Sequence, residues 1–207
     1  MELDITYYTV GEWRENSYLI KYKSEAWLVD PGDEFEDLDK KFAVAELELK
    51  GIINTHGHFD HIGAVHQFKE KYNIPFYIHS KDKQILRQAN LYKKLAGSSS
   101  YFVTPDIDGF LEEIESFKIN DKVIKIHSTP GHTNGSVSFE IDNALISGDL
   151  LFKEAIGRVD LPGGNINLLK KSITYVIENF EGYTIYPGHG SPFVLDSNVI
   201  NTLKKLI

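Results

Sequence analysis

The chain has 207 residues, with 22 Lys and Arg against 30 Asp and Glu for a formal net charge of −8. This is enough chain to bury about 70% of its unfolded surface, and 42% hydrophobic with 25% charged residues describes a folded globule, expected to be one domain over 1–207. The acidity and the want of basic runs argue against a nucleic-acid partner, and zero cysteines exclude disulfides, thiolate metal sites and a cysteine nucleophile.

In chain order, Leu3 to Val10, Ser17 to Tyr22 and Ala26 to Val29 are β-branched and aromatic and predict three strands, the last ending at Asp30-Pro31-Gly32. A helix is expected from Asp33, with Leu38, Phe42, Ala45 and Leu49 as an apolar stripe closed by Gly51. Ile52-Ile53-Asn54 reads as a short buried strand, followed by a polar cluster at 55–61 and a helix to Tyr72. A strand at Phe76-Tyr77-Ile78 and a helix over Ser80 to Ala96 come next, then an irregular loop through 98–110. Strands are expected from Phe117, over Val123 to Ile126, Ser136 to Ile141 and Ala144 to Ser147, with helices over 166–180 and 196–206 flanking a strand at Thr184 to Tyr186. This order resembles two similar halves more than one alternating βαβ ladder. No apolar run approaches the roughly 18 residues that span a bilayer, and Met1-Glu2-Leu3-Asp4 carries acids where a secretory leader carries bases. The expectation is a cytoplasmic protein acting on a small molecule, without a membrane partner.

Three of the eight histidines crowd into Thr55-His56-Gly57-His58-Phe59-Asp60-His61. At this composition the pattern His-x-His-x-Asp-His arises by chance on the order of once in a thousand such chains. Imidazole and carboxylate are ligands for zinc-type ions, and alternation on an extended turn can aim His56 and His58 the same way while Asp60 and His61 face a second ion. His132, Asp149 and His189 each sit beside glycine in a turn after a predicted strand. Singly each reads as a turn residue. Jointly they complete seven ligands, five His and two Asp, which suits two metals. His66, His79 and His127 lie outside this pattern and read as packing or surface residues. Asp30 is read equally well as a turn former. Arg158, after the Asp149 loop, is placed to anchor an anionic substrate group.

These stretches, with Leu28-Val29-Asp30-Pro31-Gly32, resemble the metallo-β-lactamase superfamily from about residue 2 to 192. Within it the chain is similar to the short bacterial glyoxalase II-like hydroxyacylglutathione hydrolases, whose Gly-Arg-x-Asp signature is matched by Gly157-Arg158-Val159-Asp160. The resemblance implies an α/β protein with mixed sheets in a four-layer αβ/βα sandwich, metals lying at one edge between the sheets. It implies that His56, His58 and His132 hold one ion, that Asp60, His61 and His189 hold a second, and that Asp149 bridges them. Asp30 would fix the orientation of a ligand histidine, and Asp60 would orient the attacking hydroxide or accept its proton. Two divalent ions are implied, zinc foremost, with iron or manganese as alternatives. The implied activity is hydrolysis of thioesters of the S-lactoylglutathione type, with persulfide dioxygenase and lactonase as the alternatives. β-Lactam hydrolysis is disfavoured because several zinc β-lactamases use a cysteine at the second ion.

Overall fold

A computed structural model describes residues 3–207. Period-two burial in its strands decides which layer each side chain joins. In β2 (Glu15–Tyr22), Tyr18 and Ile20 point into the space between two sheets, while Leu19 points outward to the helices. In β3 (Glu25–Val29), Trp27 and Val29 face inward and Ala26 and Leu28 outward. β4 (Glu48–Ile53) splits Ile53 from Ile52 in the same way. Together with β1 (Asp4–Val10), β5 (Phe76–Ile78) and β6 (Gly109–Phe110) these form a six-stranded mixed sheet in the order β1-β2-β3-β4-β5-β6.

The second six-stranded sheet has the order β12-β11-β10-β9-β8-β7. Its strands are β7 (Ser116–Ile119), β8 (Lys122–Ser128), β9 (Val137–Ile141), β10 (Ala144–Gly148), β11 (Thr184–Pro187) and β12 (Phe193–Val194). Val137, Phe139, Ile141 and Ile146 meet Tyr18, Ile20, Trp27 and Val29 between the sheets.

Helices cover both outer faces. α1 (Phe35–Lys41), α2 (Val65–Tyr72), α3 (Lys83–Arg87) and α4 (Ala89–Leu95) bring Leu38, Val65, Phe68, Leu86 and Ala89 onto the first sheet. α5 (Ile166–Asn179) and α6 (Ser197–Leu203) cover the second. α5 starts where the Asn165 side chain accepts hydrogen bonds from the Asn167 and Leu168 amides, and it buries Leu169, Ile173, Val176 and Ile177, a stripe of helical spacing. Each of these side chains contributes about 1.5–3 kcal/mol on burial. The result is the expected four-layer αβ/βα order. No helix among the described residues is long and apolar enough to cross a membrane.

Two expected helices are shorter than their apolar patterns. α1 ends at Lys41, Ala43 takes a left-handed φ of 48°, and a 3₁₀ turn at Val44–Glu46 leads into β4. Leu38 and Phe42 are buried as expected, but Leu49 belongs to β4, where it pairs with Ala26, and the Ala45 side chain lies outside the described residues. Parallel pairing with β3 claims the segment that a spacing of four assigned to a helix. The stretch from Ser80 to Ala96 divides into a 3₁₀ turn (Ser80–Asp82), α3 and α4, with the join at Gln88.

β3, β4 and β5 run parallel, and β8, β10 and β11 share one direction because β9 lies antiparallel to both β8 and β10. The turns after β3, β4, β8, β10 and β11 therefore emerge at one edge of the sandwich, and they carry every residue of the sequence-predicted metal pattern.

Candidate metal centre

The two sheets are tied together at this edge. The Val137 amide donates to the Thr55 carbonyl at 2.9 Å, and the Asn16 amide to that of Gly188 at 2.8 Å. The Tyr18 hydroxyl donates to the Pro187 carbonyl at 2.5 Å. A side chain at Gly188 has no room, since its Cβ would fall 2.1 Å from Asp149 Oδ1 and 2.8 Å from His61 Cε1.

The structure brings all seven predicted ligands together. His56, His58 and His132 form one group and Asp60, His61 and His189 another, with one ligating atom of each residue within 4.8 Å of the others in its group. Asp149 lies between them, its oxygens 3.6 Å from His61 Nε2, 3.6 Å from His132 Nε2 and 3.4 Å from His189 Nε2. His56, His58, His61 and His132 are buried, and His189, Asp60 and Asp149 reach the surface in part.

Hydrogen bonds behind the rings fix their tautomers. His61 Nδ1 donates to Asp30 at 2.9 Å, His132 Nδ1 to the Arg158 carbonyl at 2.8 Å and His189 Nδ1 to the Arg14 carbonyl at 3.2 Å. Thr55 Oγ1 gives its proton to Asp30 at 2.5 Å and so accepts from His56 Nδ1 at 3.0 Å. These bonds leave Nε2 as the inward-facing ring atom of all four imidazoles. The Nε2 atoms of His56 and His61 and Oδ1 of Asp149 are buried with no hydrogen-bond partner, and His58 Nδ1 faces His132 Nε2 at 2.8 Å. Buried acceptors with nothing to accept are costly unless a cation satisfies them, so this donor set fits divalent metals.

The electrostatics agree. Burial, helped by the neighbouring imidazoles, holds His56 well below the usual histidine range and His58 down to about 3. Burial opposes charging His189 too, but Asp149 and Asp60 outweigh it and push that ring up to about 11. Burial would raise Asp149, yet His61 and His189 hold it well below the carboxylate range. The Asp60/Asp149 side of the site attracts positive charge and the His56/His58 side offers neutral donors.

Asp30 accepts from the Thr55 amide at 2.7 Å as well as from Thr55 Oγ1 and His61. Its backbone is left-handed, with φ 49°, so the residue both shapes the turn and orients the His61 ring. Arg158 is exposed and its guanidinium pairs with both carboxylate oxygens of Asp160, at 2.7 and 2.8 Å. His66, His79 and His127 lie outside the cluster; His79 caps the 3₁₀ turn before α3, and His127 bonds Glu140 and Tyr175. Sequence reasoning missed Glu15, which is 1% exposed, accepts from Ser17 Oγ and lies 3.8 Å from His61 Nδ1. Burial and the charge of Asp30 push its carboxyl well above the usual range. It also missed the Arg14 and Arg158 carbonyls, which act through backbone atoms that leave no residue-type signal.

Residues 10–189 match the model of the metallo-β-lactamase superfamily, and the chain belongs to that family of metal-dependent hydrolases. It is 32% identical to the hydroxyacylglutathione hydrolase GloC of Haemophilus influenzae over 200 residues, 91% of this chain and 92% of that one. Among solved structures, the B3 metallo-β-lactamase BLEG-1 is 33% identical with a TM-score of 0.84, covering 93% of this chain and 94% of its own. TTHA1623 in a di-iron-bound form is 31% identical with a TM-score of 0.82, covering 92% and 94%.

Proposed function

We propose that this chain is a binuclear metallohydrolase that cleaves small hydroxyacyl thioesters of the S-lactoylglutathione type in the cytoplasm. In this reading His56, His58 and His132 would hold one divalent ion, Asp60, His61 and His189 would hold the second, and Asp149, which lies between the two groups, would serve both. Zinc is the ion proposed first, with iron or manganese as the alternatives. The carrying observation is the convergence of the tautomer-fixed Nε2 atoms of His61, His132 and His189 on Asp149, with Asp60 beside His61 and His189. The identity to a hydroxyacylglutathione hydrolase supports the choice of substrate.

When bound, such an ion pair supplies Lewis acidity toward the acyl carbonyl and a water acidified to near neutrality. The chain's own groups do the rest. Asp30 and the Arg14 and Arg158 carbonyls hold the ligand rings in one tautomer and one orientation. His61 and His189 keep Asp60 ionised against the effect of its burial, so it serves better to orient water through an accepted hydrogen bond than to store a proton. The water oxygen forms a C–O bond to the acyl carbon, the C–S bond breaks with its electron pair leaving on sulfur, and the water's protons pass to solvent. A thiol of pKa about 8.5 leaves as thiolate without a side-chain acid. Arg158 is proposed to exchange Asp160 for a substrate carboxylate.

Elemental analysis of the purified protein, with assays on S-lactoylglutathione, a lactone, a β-lactam and a glutathione persulfide under oxygen monitoring, tests the reading. Two ions per chain and preferential thioester turnover are expected. One iron with oxygen consumption, or faster β-lactam or lactone turnover, would replace it.

A further inference from the structure

The 3₁₀ turn after β5 ends in Asp82, a fully buried carboxylate that belongs to neither loop of the His56/His58/His132 group yet bonds both. Its Oδ2 accepts from the Gly57 amide at 2.9 Å, and Gly57 is the residue between His56 and His58. The same oxygen accepts from Thr133 Oγ1 at 2.7 Å, and Thr133 follows His132 directly. Oδ1 accepts from the Gly135 amide at 2.8 Å. The Ser136 hydroxyl extends the chain, donating to Thr133 Oγ1 at 2.8 Å.

The loops are shaped to receive this carboxylate. A Cβ on Gly135 would lie 2.6 Å from Asp82 Oδ1 and 2.7 Å from its Cγ, so only glycine lets that strand of backbone approach. No Lys or Arg pairs with Asp82 among the described residues; three hydrogen-bond donors, with His79 nearby, face its carboxylate. General packing does not call for a buried carboxylate at this place, because an apolar residue would avoid the desolvation cost. What the carboxylate adds is a fixed distance between two loops from different sheets, the loops that set His58 Nδ1 against His132 Nε2 at 2.8 Å.

We propose that Asp82 is a positioning residue for the three-histidine ion: it clamps the 55–61 turn to the 129–136 turn so that His56, His58 and His132 converge on one point. The proposal rests on the ligand assignment made above. It predicts a selective defect, since the Asp60, His61 and His189 group is oriented by Asp30 and the Arg14 carbonyl and makes no bond to Asp82.

The test is stepwise Zn²⁺ and Co²⁺ titration of the metal-stripped full chain against a competing chelator. His132→Ala identifies which binding step belongs to the trio. Asp82→Asn is nearly isosteric but presents an amide N–H to one of the three donors. It is expected to weaken that step about tenfold to a hundredfold, with an altered Co²⁺ absorption band, and to leave the other step within twofold. Thr133→Val, which removes one link only, is expected to weaken the same step severalfold. It decides the matter if Asp82→Asn does not fold. An unchanged trio step in folded Asp82→Asn, or equal weakening of both steps, overturns the positioning role. If His132→Ala moves neither step, the ligand assignment has failed and the proposal falls with it; a lost step in His132→Ala beside a wild-type Asp82→Asn overturns the clamp alone.

Discussion

Replacing Asp30 with Asn isolates what one buried carboxylate contributes. Asn tolerates the left-handed backbone found there, so the substitution leaves the turn intact, whereas Ala would add strain of about 1–2 kcal/mol. The carboxylate accepts three hydrogen bonds, from the Thr55 amide, Thr55 Oγ1 and His61 Nδ1. An Asn side chain keeps one acceptor oxygen and turns an N–H₂ toward the place of the other. Oδ1 accepts from the Thr55 amide alone and Oδ2 from both Thr55 Oγ1 and His61 Nδ1, so an N–H₂ in the Oδ1 position orphans the Thr55 amide and one in the Oδ2 position orphans the His61 N–H, in a site that is 1% exposed. One orphaned buried donor costs about 1–3 kcal/mol, or about 2–12 °C in midpoint for a chain of this size. The second consequence is chemical. With the N–H₂ in the Oδ2 position His61 loses its acceptor and can take the other tautomer, so affinity for the second ion should fall about tenfold to a hundredfold; with the N–H₂ in the Oδ1 position the midpoint falls and that affinity stays. Thermal unfolding of metal-stripped wild type and variant reads the first effect free of metal linkage, and metal titration reads the second. A variant with the wild-type midpoint and both wild-type affinities would refute the claim that Asp30 fixes the tautomer.

Asp149→Ala removes the one carboxylate between the two groups and should reduce bound metal from two ions per chain to one or none, read by elemental analysis alongside turnover. Arg158→Ala should raise KM for an anionic thioester by roughly tenfold, the loss of one charge-assisted contact, while metal content and KM for a neutral lactone stay unchanged; equal effects on both substrates would make the Asp160 pair structural. Stripped of metal, the protein should lose stability as pH rises from about 6.5 toward 11. His189 is raised in the folded state to about 11, so its contribution is complete below the unfolded value and fades through the folded one. His189→Ala should flatten that slope in thermal unfolding, and a slope unchanged by the substitution would assign it to another group.

Much of the fold was legible because the strands bury both faces. Alternating Tyr18, Leu19, Ile20 and Trp27, Leu28, Val29 serve two cores at once, and such runs of β-branched and aromatic residues are read without ambiguity. The α1–β4 junction was not legible. Leu38, Phe42 and Leu49 keep helical spacing by accident, and the boundary is set by Ala43 in a left-handed conformation and by β4 pairing with β3, a contact between segments some twenty residues apart. Local periodicity carries no information about such pairing. The break at Gln88 within the expected 80–96 helix has the same origin in tertiary packing.

The site divides along a different line. Its candidate ligands are side chains of rare types at fixed spacing, beside glycines that clear room for them, and they stand out in the sequence. The groups that select among the states of those ligands do not. Two of the four tautomer-fixing acceptors are the carbonyls of Arg14 and Arg158, available from any residue type, and a third is the hydroxyl of Thr55, common in any turn. Arg158 shows the two kinds of contribution in one residue. Its side chain carries the proposed substrate contact and could be singled out by type, while its carbonyl accepts from His132 and could not. Asp82 is the extreme case, since an Asp opening a helical turn reads as a capping residue. Only the meeting of β5, the 55–61 turn and the 129–136 turn gives it three donors to bind. A neutral imidazole is a useful ligand only when its lone pair faces the ion, so the positioning groups determine whether the legible residues can work as a centre at all.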